Sequence, residues 1–260
     1  MIRLSALLAL ALCALPAAAQ EFSVLVSPPR FEASTKPGET FRSVLEITNV
    51  SSQPARLGIR TADWTLRADA SAEFDYALAP GSCRPWVGLE AAEVHLPANG
   101  KRRYRFEVAV PADAPVGECR FALMLEGDPQ AVRGSTVPIA GRIGVIVYLA
   151  VGGAAPRLTV MGTRTATVEG REVPAIEVRN DGNAHGRLDG LVEGEDAGGT
   201  RYAFAPNGLP ILPGETRVIP LVPQADRPDA PAPTLRFPVR LKGRLETSAG
   251  AVDVEGTFPG

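Results

Sequence analysis

Residues 139 to 151 read IAGRIGVIVYLAV, with apolar side chains at Ile139, Ile143, Val145, Val147, Leu149 and Val151. A period of two is the signature of a β-strand. The opposite parity holds Ala140, Gly144, Ile146, Tyr148 and Ala150, and Arg142 is the single charge of the run. A strand apolar on both faces is either covered on both sides by its own protein or left as a sheet edge that recruits a further strand. Any fold for this chain must solve that problem, and most of the functional question turns on which solution it takes.

The rest of the chain repeats the pattern at regular intervals. FSVLVS, RFEAST, FRSVLEITNV, ARLGIRTADWTL, RPWVGLEAAEVHL, RRYRFEVAV and CRFALMLEG precede the Ile139 strand, separated by turn phrases such as KPGE, SSQP and PANG. Val44, Leu45 and Ile47 lead into a polar turn, and Phe121, Leu123 and Leu125 share one parity. Helical periodicity is missing. The 26 Gly and 24 Pro are spread through the chain as turn residues rather than gathered in a low-complexity block. After the small-residue stretch GGAAP the pattern starts again, with a loose internal echo: EITNVSSQPARL against EVRNDGNAHGRL, and PGETFRSVLEI against PGETRVIPLV. The expected class is all-β, two immunoglobulin-like antiparallel β-sandwich domains in tandem, spanning residues 20–151 and 157–260 with a linker at 152–156.

Residues 1–19 carry Arg3, an apolar run and the small residues Ala17, Ala18 and Ala19, which fits a secretory signal cleaved after Ala19 and a periplasmic product. A lipid anchor at Cys13 is the rival reading, and bulky Leu12 argues against it. No later apolar run is long enough to span a bilayer. Removing the leader leaves Cys83 and Cys119 in an oxidising compartment, so one disulfide is expected, closing a loop of about 35 residues.

Function classes narrow by what is missing. A formal net charge of -2 offers no nucleic-acid surface, and the basic cluster around Tyr104 reads as the solvated start of a strand. His95 and His185 lie in neither a nucleophile elbow nor a metal motif. The Asp181, Asn183, His185, Asp189 spacing has Val192 where a calcium loop needs a bidentate glutamate, so a turn is the expected structure. No enzyme activity, cofactor or metal is expected. Trp64 and Trp86 read as core or rim aromatics.

The order SPPRFEAS, ITNVSSQPARL, WTL, PANGKRRYRFEV, FALMLEGDP, RIGVIVYL resembles the first domain of the PapD-like periplasmic chaperones of the chaperone–usher pathway, and a smaller second sandwich follows there as here. The resemblance implies that the last strand of the first domain donates alternating apolar residues to an incomplete pilin-like subunit, while a basic pair holds that subunit's terminal carboxylate. On this sequence the donation edge would be Val137, Ile139, Ile143, Val145 and Val147, and the carboxylate anchors Arg30, in PPRFE, and Arg142. Two departures stand out. The last strand has no lysine, so Arg142 takes the second anchor position, and Leu149 and Ala150 follow Tyr148 where the family has Arg-Pro. Secreted pilin-like subunits are the implied partners, with an outer-membrane usher as a further one. The competing class is an extracytoplasmic immunoglobulin-like structural or adhesive module that binds a cell-envelope protein or glycan.

Overall fold

Two-residue alternation needs a partner sheet for its apolar face, and the first half of the chain supplies two. The computed structural model describes residues 23–67, 69–129, 138–225, 227, 230 and 233–260. The expected leader and Val137 lie outside the described residues. One sheet runs β1 (Val24–Ser27), β3 (Thr40–Asn49), β8 (Lys101–Ala109), β6 (Val87–Leu89). The other runs β2 (Arg30–Thr35), β10 (Arg142–Val151), β9 (Gly117–Gly127), β4 (Ala55–Leu66), β5 (Ala72–Asp75), and β7 (Glu93–Leu96) also pairs β4. Between them Leu45, Ile47, Leu57, Tyr104, Phe121, Leu123, Val147 and Leu149 form one core. Each comes from the inward parity of its strand. Cys83 and Cys119, both buried, are joined by a disulfide inside this core.

The internal echo has a physical cause. Asn49 ends β3 and Asn180 ends β12 (Arg171–Asn180), and both side chains are buried. Asn49 Nδ2 donates to the Gln53 and Pro97 carbonyls, while its Oδ1 accepts from Ser51 N–H. Asn180 Nδ2 donates to the Ala184 and Ile211 carbonyls, and its Oδ1 accepts from Arg157 and Gly182 N–H. A buried amide stays in place only when its donors and acceptor are matched. The two PGET phrases likewise form matching turns: Glu39 N–H donates to Lys36 O and Glu215 N–H to Leu212 O. Gly38 and Gly214, third in each, have φ of 83° and 78°, which glycine adopts without penalty.

After β10 the chain turns at Gly152 and Gly153 and enters a seven-stranded sheet. Its order is β11 (Leu158–Val168), β12, β15 (Thr216–Pro223), β14 (Arg201–Pro206), β13 (Val192–Glu195), β16 (Val239–Thr247), β17 (Gly250–Phe258). The sheet curls until its ends meet, so a Cβ at Gly256 would lie 3.1 Å from Thr163 Cγ2. Inside are Ile176, Phe204, Leu221, Val239, Leu245 and Phe258. The protein is therefore all-β, with two sandwiches in tandem. Among the described residues no helix is long and apolar enough to cross a membrane.

Candidate functional site

Proline decides where the sheet edge opens. β2 runs parallel to β10 with Arg30 opposite Ile146, and the pairing continues to Thr35 opposite Val151. One step back, Pro29 and Pro28 would face Val145 and Gly144. Neither has an N–H to give. The chain instead crosses to the other sheet, where β1 pairs β3. Over Arg142–Val145, β10 is therefore hydrogen-bonded to β9 alone, and no other described residue pairs with its far edge. From Ile146 to Val151 both edges are filled.

The expected donation edge divides accordingly. Ile139 is exposed at 57% and Ile143 is half-buried at the rim of the core. Val145 and Val147 are fully buried, because the first sandwich needs their parity for its own core. Their side chains are not presented to a partner.

The structure does not set the two expected anchors side by side. Both belong to the outer face, but Arg30 lies opposite Ile146, four residues from Arg142, a separation of about 13 Å along the strand. Their surroundings also differ. Arg30 Nε donates to Glu32 Oε1 at 2.7 Å. Arg142 is exposed, with no carboxylate within 4 Å among the described residues. Its cross-strand neighbour Glu126 is already held by the Tyr76 hydroxyl and by Arg60. Burial works to raise the Glu126 pKa, but those two donors and the nearby Arg142 charge outweigh it and keep the group below the usual carboxylate range.

Below the open edge, the outer face of the sheet meets the second sandwich through a polar cluster. Tyr148 lies opposite Glu32 on β2 and Arg120 on β9. His185, in the turn after β12, stacks on the Tyr148 ring and places Nδ1 2.5 Å from Glu118 Oε1. The His185 backbone N–H also reaches the Glu118 carboxylate, at 3.2 Å. Arg187 approaches the Tyr148 hydroxyl and, through Nε, Glu32 Oε1 at 3.4 Å. Glu32, Glu118, Tyr148, His185, Arg187 and Glu246 line a cleft of ≈ 630 Å³. Burial, only partly opposed by the Arg187 and Arg120 charges, pushes the Tyr148 hydroxyl up to about 12. On the other side of the contact, Leu212 joins Trp64, Ala122 and Met124 in a separate apolar cluster, and Arg217 donates to the Leu66 and Arg67 carbonyls.

With this geometry in hand, the chain can be set beside known proteins. No protein-family model matches it, and no curated protein does. Solved structures do. The structures it is similar to contain chaperones, one of them from archaic chaperone–usher Csu pili. One is the YadV chaperone, with 10% identity, a TM-score of 0.48, and 90% of this chain and 99% of that one covered. Another is a chain of the CsuC–CsuE chaperone–tip adhesion subunit pre-assembly complex of Acinetobacter baumannii, with 13% identity, a TM-score of 0.46 and coverages of 91% and 98%. A third comes from the Salmonella enterica SafA pilin in complex with the SafB chaperone, with 16% identity, a TM-score of 0.43 and coverages of 93% and 97%.

Sequence reasoning placed Trp64 and Trp86 as core or rim aromatics; Trp64 is buried in the interface cluster and Trp86 packs against the first core. It missed Glu32, Glu118, His185 and Arg187 altogether. His185 read as a turn residue, and nothing local to DGNAHGRL indicates that a carboxylate 67 positions earlier meets it.

Proposed function

We propose that this protein is a non-catalytic periplasmic chaperone that shields secreted pilin-like subunits by β-strand donation. In this reading the leader 1–19 directs export, residues 20–151 carry the donated strand, 152–156 form the linker and 157–260 the second domain. An outer-membrane usher would receive the complex. One observation carries the reading: the backbone edge of Arg142–Val145 that has no partner strand among the described residues, opened by Pro28 and Pro29 beside the otherwise two-sided pairing of β10. An extended client segment would complete this ladder, with main-chain hydrogen bonds for affinity and side chains for register. Ile143, half-buried at the rim, and the exposed Ile139 are the apolar residues of the expected donation set nearest this edge. Arg142, exposed and without a close carboxylate, suits a client carboxylate through a bidentate guanidinium contact, and Arg30 stands where β2 leaves the ladder.

The test is backbone hydrogen exchange of the full-length protein, alone and with a pilin-like subunit coproduced in the periplasm. Fast exchange at Arg142 and Gly144, whose N–H groups face away from β9, that slows on complex formation is the expected result. The two-sided pairing of Ile146–Val151 favours a second reading, a structural or adhesive immunoglobulin-like module. Strong protection of the Arg142 and Gly144 amides in the free protein would decide for that reading.

A further inference from the structure

Two guanidinium groups and an imidazole nitrogen converge on a single oxygen of Glu32. Oε1 accepts from Arg30 Nε at 2.7 Å and lies 3.4 Å from Arg187 Nε and 3.8 Å from His185 Nε2. Arg30 belongs to the first sandwich, Arg187 and His185 to the second. The three are not equally satisfied. Arg187 uses Nη1 on the Gly208 carbonyl and Nη2 on the Tyr148 hydroxyl, but its Nε is buried without a hydrogen-bond partner. A buried donor left unmet carries the cost of its lost hydration. An acceptor 3.4 Å away, Glu32 Oε1, is the oxygen that Arg30 already holds.

We infer that Glu32 is a positioning residue that occupies Arg30 in place of a client carboxylate and, when displaced, closes onto Arg187. The inference rests on Arg30 acting as a carboxylate anchor in the reading above. A carboxylate arriving at Arg30, itself half exposed, competes with Glu32. Released, Glu32 can turn its carboxylate onto the Arg187 Nε–H, 3.4 Å away, and straighten the contact into a hydrogen bond. Loss of one charge-assisted bond at the anchor is then offset by satisfying a buried donor between the sandwiches. Client capture and the fit of the two sandwiches are coupled through this one side chain.

The probe is a synthetic octapeptide of alternating valine and threonine, made with a free C-terminal carboxylate and as its amide. The readouts are affinity and the side-chain Nε–H signal of Arg187, assigned with Arg187→Lys, in the full-length protein. Glu32→Gln removes the competing charge, so the free acid should bind about two- to fivefold tighter, the scale of an exposed ion pair, with the amide unchanged. In Arg30→Ala without peptide, the Arg187 Nε–H should already exchange more slowly than in the wild type, because Glu32 is free to meet it. An Arg187 signal identical in Arg30→Ala and wild type would overturn the coupling, as would a free acid bound no tighter by Glu32→Gln. Free acid and amide bound equally by the wild type would instead remove Arg30 as anchor, while the Arg187 measurement still judges the coupling by itself.

Discussion

The His185 ring lies on the Tyr148 ring with centroids 3.7 Å apart and an interplanar angle of 27°. This stack joins the last strand of the first sandwich to the turn that follows β12 in the second. Both partners are nearly closed to solvent, and so is Glu118, which receives His185 from below. Interfaces between domains of one chain are often loose. Here a stacked pair and a buried carboxylate fix the angle at which the open edge of β10 is held against the second sandwich.

Removing that clasp should be felt in stability. His185→Ala deletes the ring donor to a Glu118 side chain that is 2% exposed, leaving only the backbone N–H and the more distant Arg120. The expected loss is about 1–3 kcal/mol, the cost of an under-satisfied buried acceptor. Urea unfolding midpoints measure it. A midpoint equal to the wild type's would mean that the clasp contributes nothing.

Tyr148 adds an alkaline limb. Burial raises its folded-state pKa to about 12, against 10.0 for a free phenol. A group whose folded pKa is raised contributes stability that is complete below pH 10 and is lost as the pH climbs to about 12. Tyr148→Phe should flatten this decline in melting temperature between pH 10 and 12. An unaltered decline in the variant would assign the limb to another group.

Asp63 predicts the opposite slope in acid. Its burial works to raise the pKa, but the Ala79 N–H, the Ser82 hydroxyl and Arg84 together hold it below the usual carboxylate range. That contribution is present above the unfolded-state pKa and disappears as pH falls through the lower folded one. Asp63→Asn leaves Arg84, 13% exposed, without its charge partner, for an expected loss of about 3 kcal/mol near neutral pH that shrinks in acid. Denaturant titrations at pH 7 and pH 3 check both parts.

Gly144 should refuse a methyl group. A Cβ there would fall 2.5 Å from Phe74 Cζ and 3.2 Å from Met124 Sδ, because the β5 ring crosses over the outer face of β10. Overpacking of this kind costs about 1–3 kcal/mol. Gly144→Ala in a Phe74→Ala background should recover part of the loss, and thermal melts of the two variants would show it. Equal losses in both backgrounds would rule out the ring as the obstacle.

Cys83→Ser with Cys119→Ser frees a link between positions 36 apart in sequence. The chain-entropy estimate is about 3–4 kcal/mol of stability. Comparison of urea midpoints for the double variant and the oxidised wild type tests the figure, and a difference under about 1 kcal/mol would contradict it.

What could be read without coordinates was whatever is local or forced by elimination. The period-two runs marked strands because alternate side chains face opposite ways. The paired phrases around Asn49 and Asn180 repeat because each asparagine closes the same kind of turn with its own side chain. The prolines at 28 and 29 mark an edge by lacking a donor. Two cysteines left after the expected leader leave one pairing.

The tertiary structure decided the rest. A strand apolar on both faces does not say which face its own core will claim, and here the first core took Val145 and Val147, while among the described residues Arg142–Val145 has no second partner strand. Arg30 and Arg142 both carry positive charge in the sequence, yet register alone separates them and gives Arg30 an internal carboxylate. The Glu32, Glu118, His185, Arg187 cluster has no local signature, because its members come from three separate segments, β2, β9 and the turn after β12, and meet only when the two sandwiches dock. Periodicity describes one strand at a time. Buried polar pairs depend on which surfaces face each other, and only the folded chain sets that.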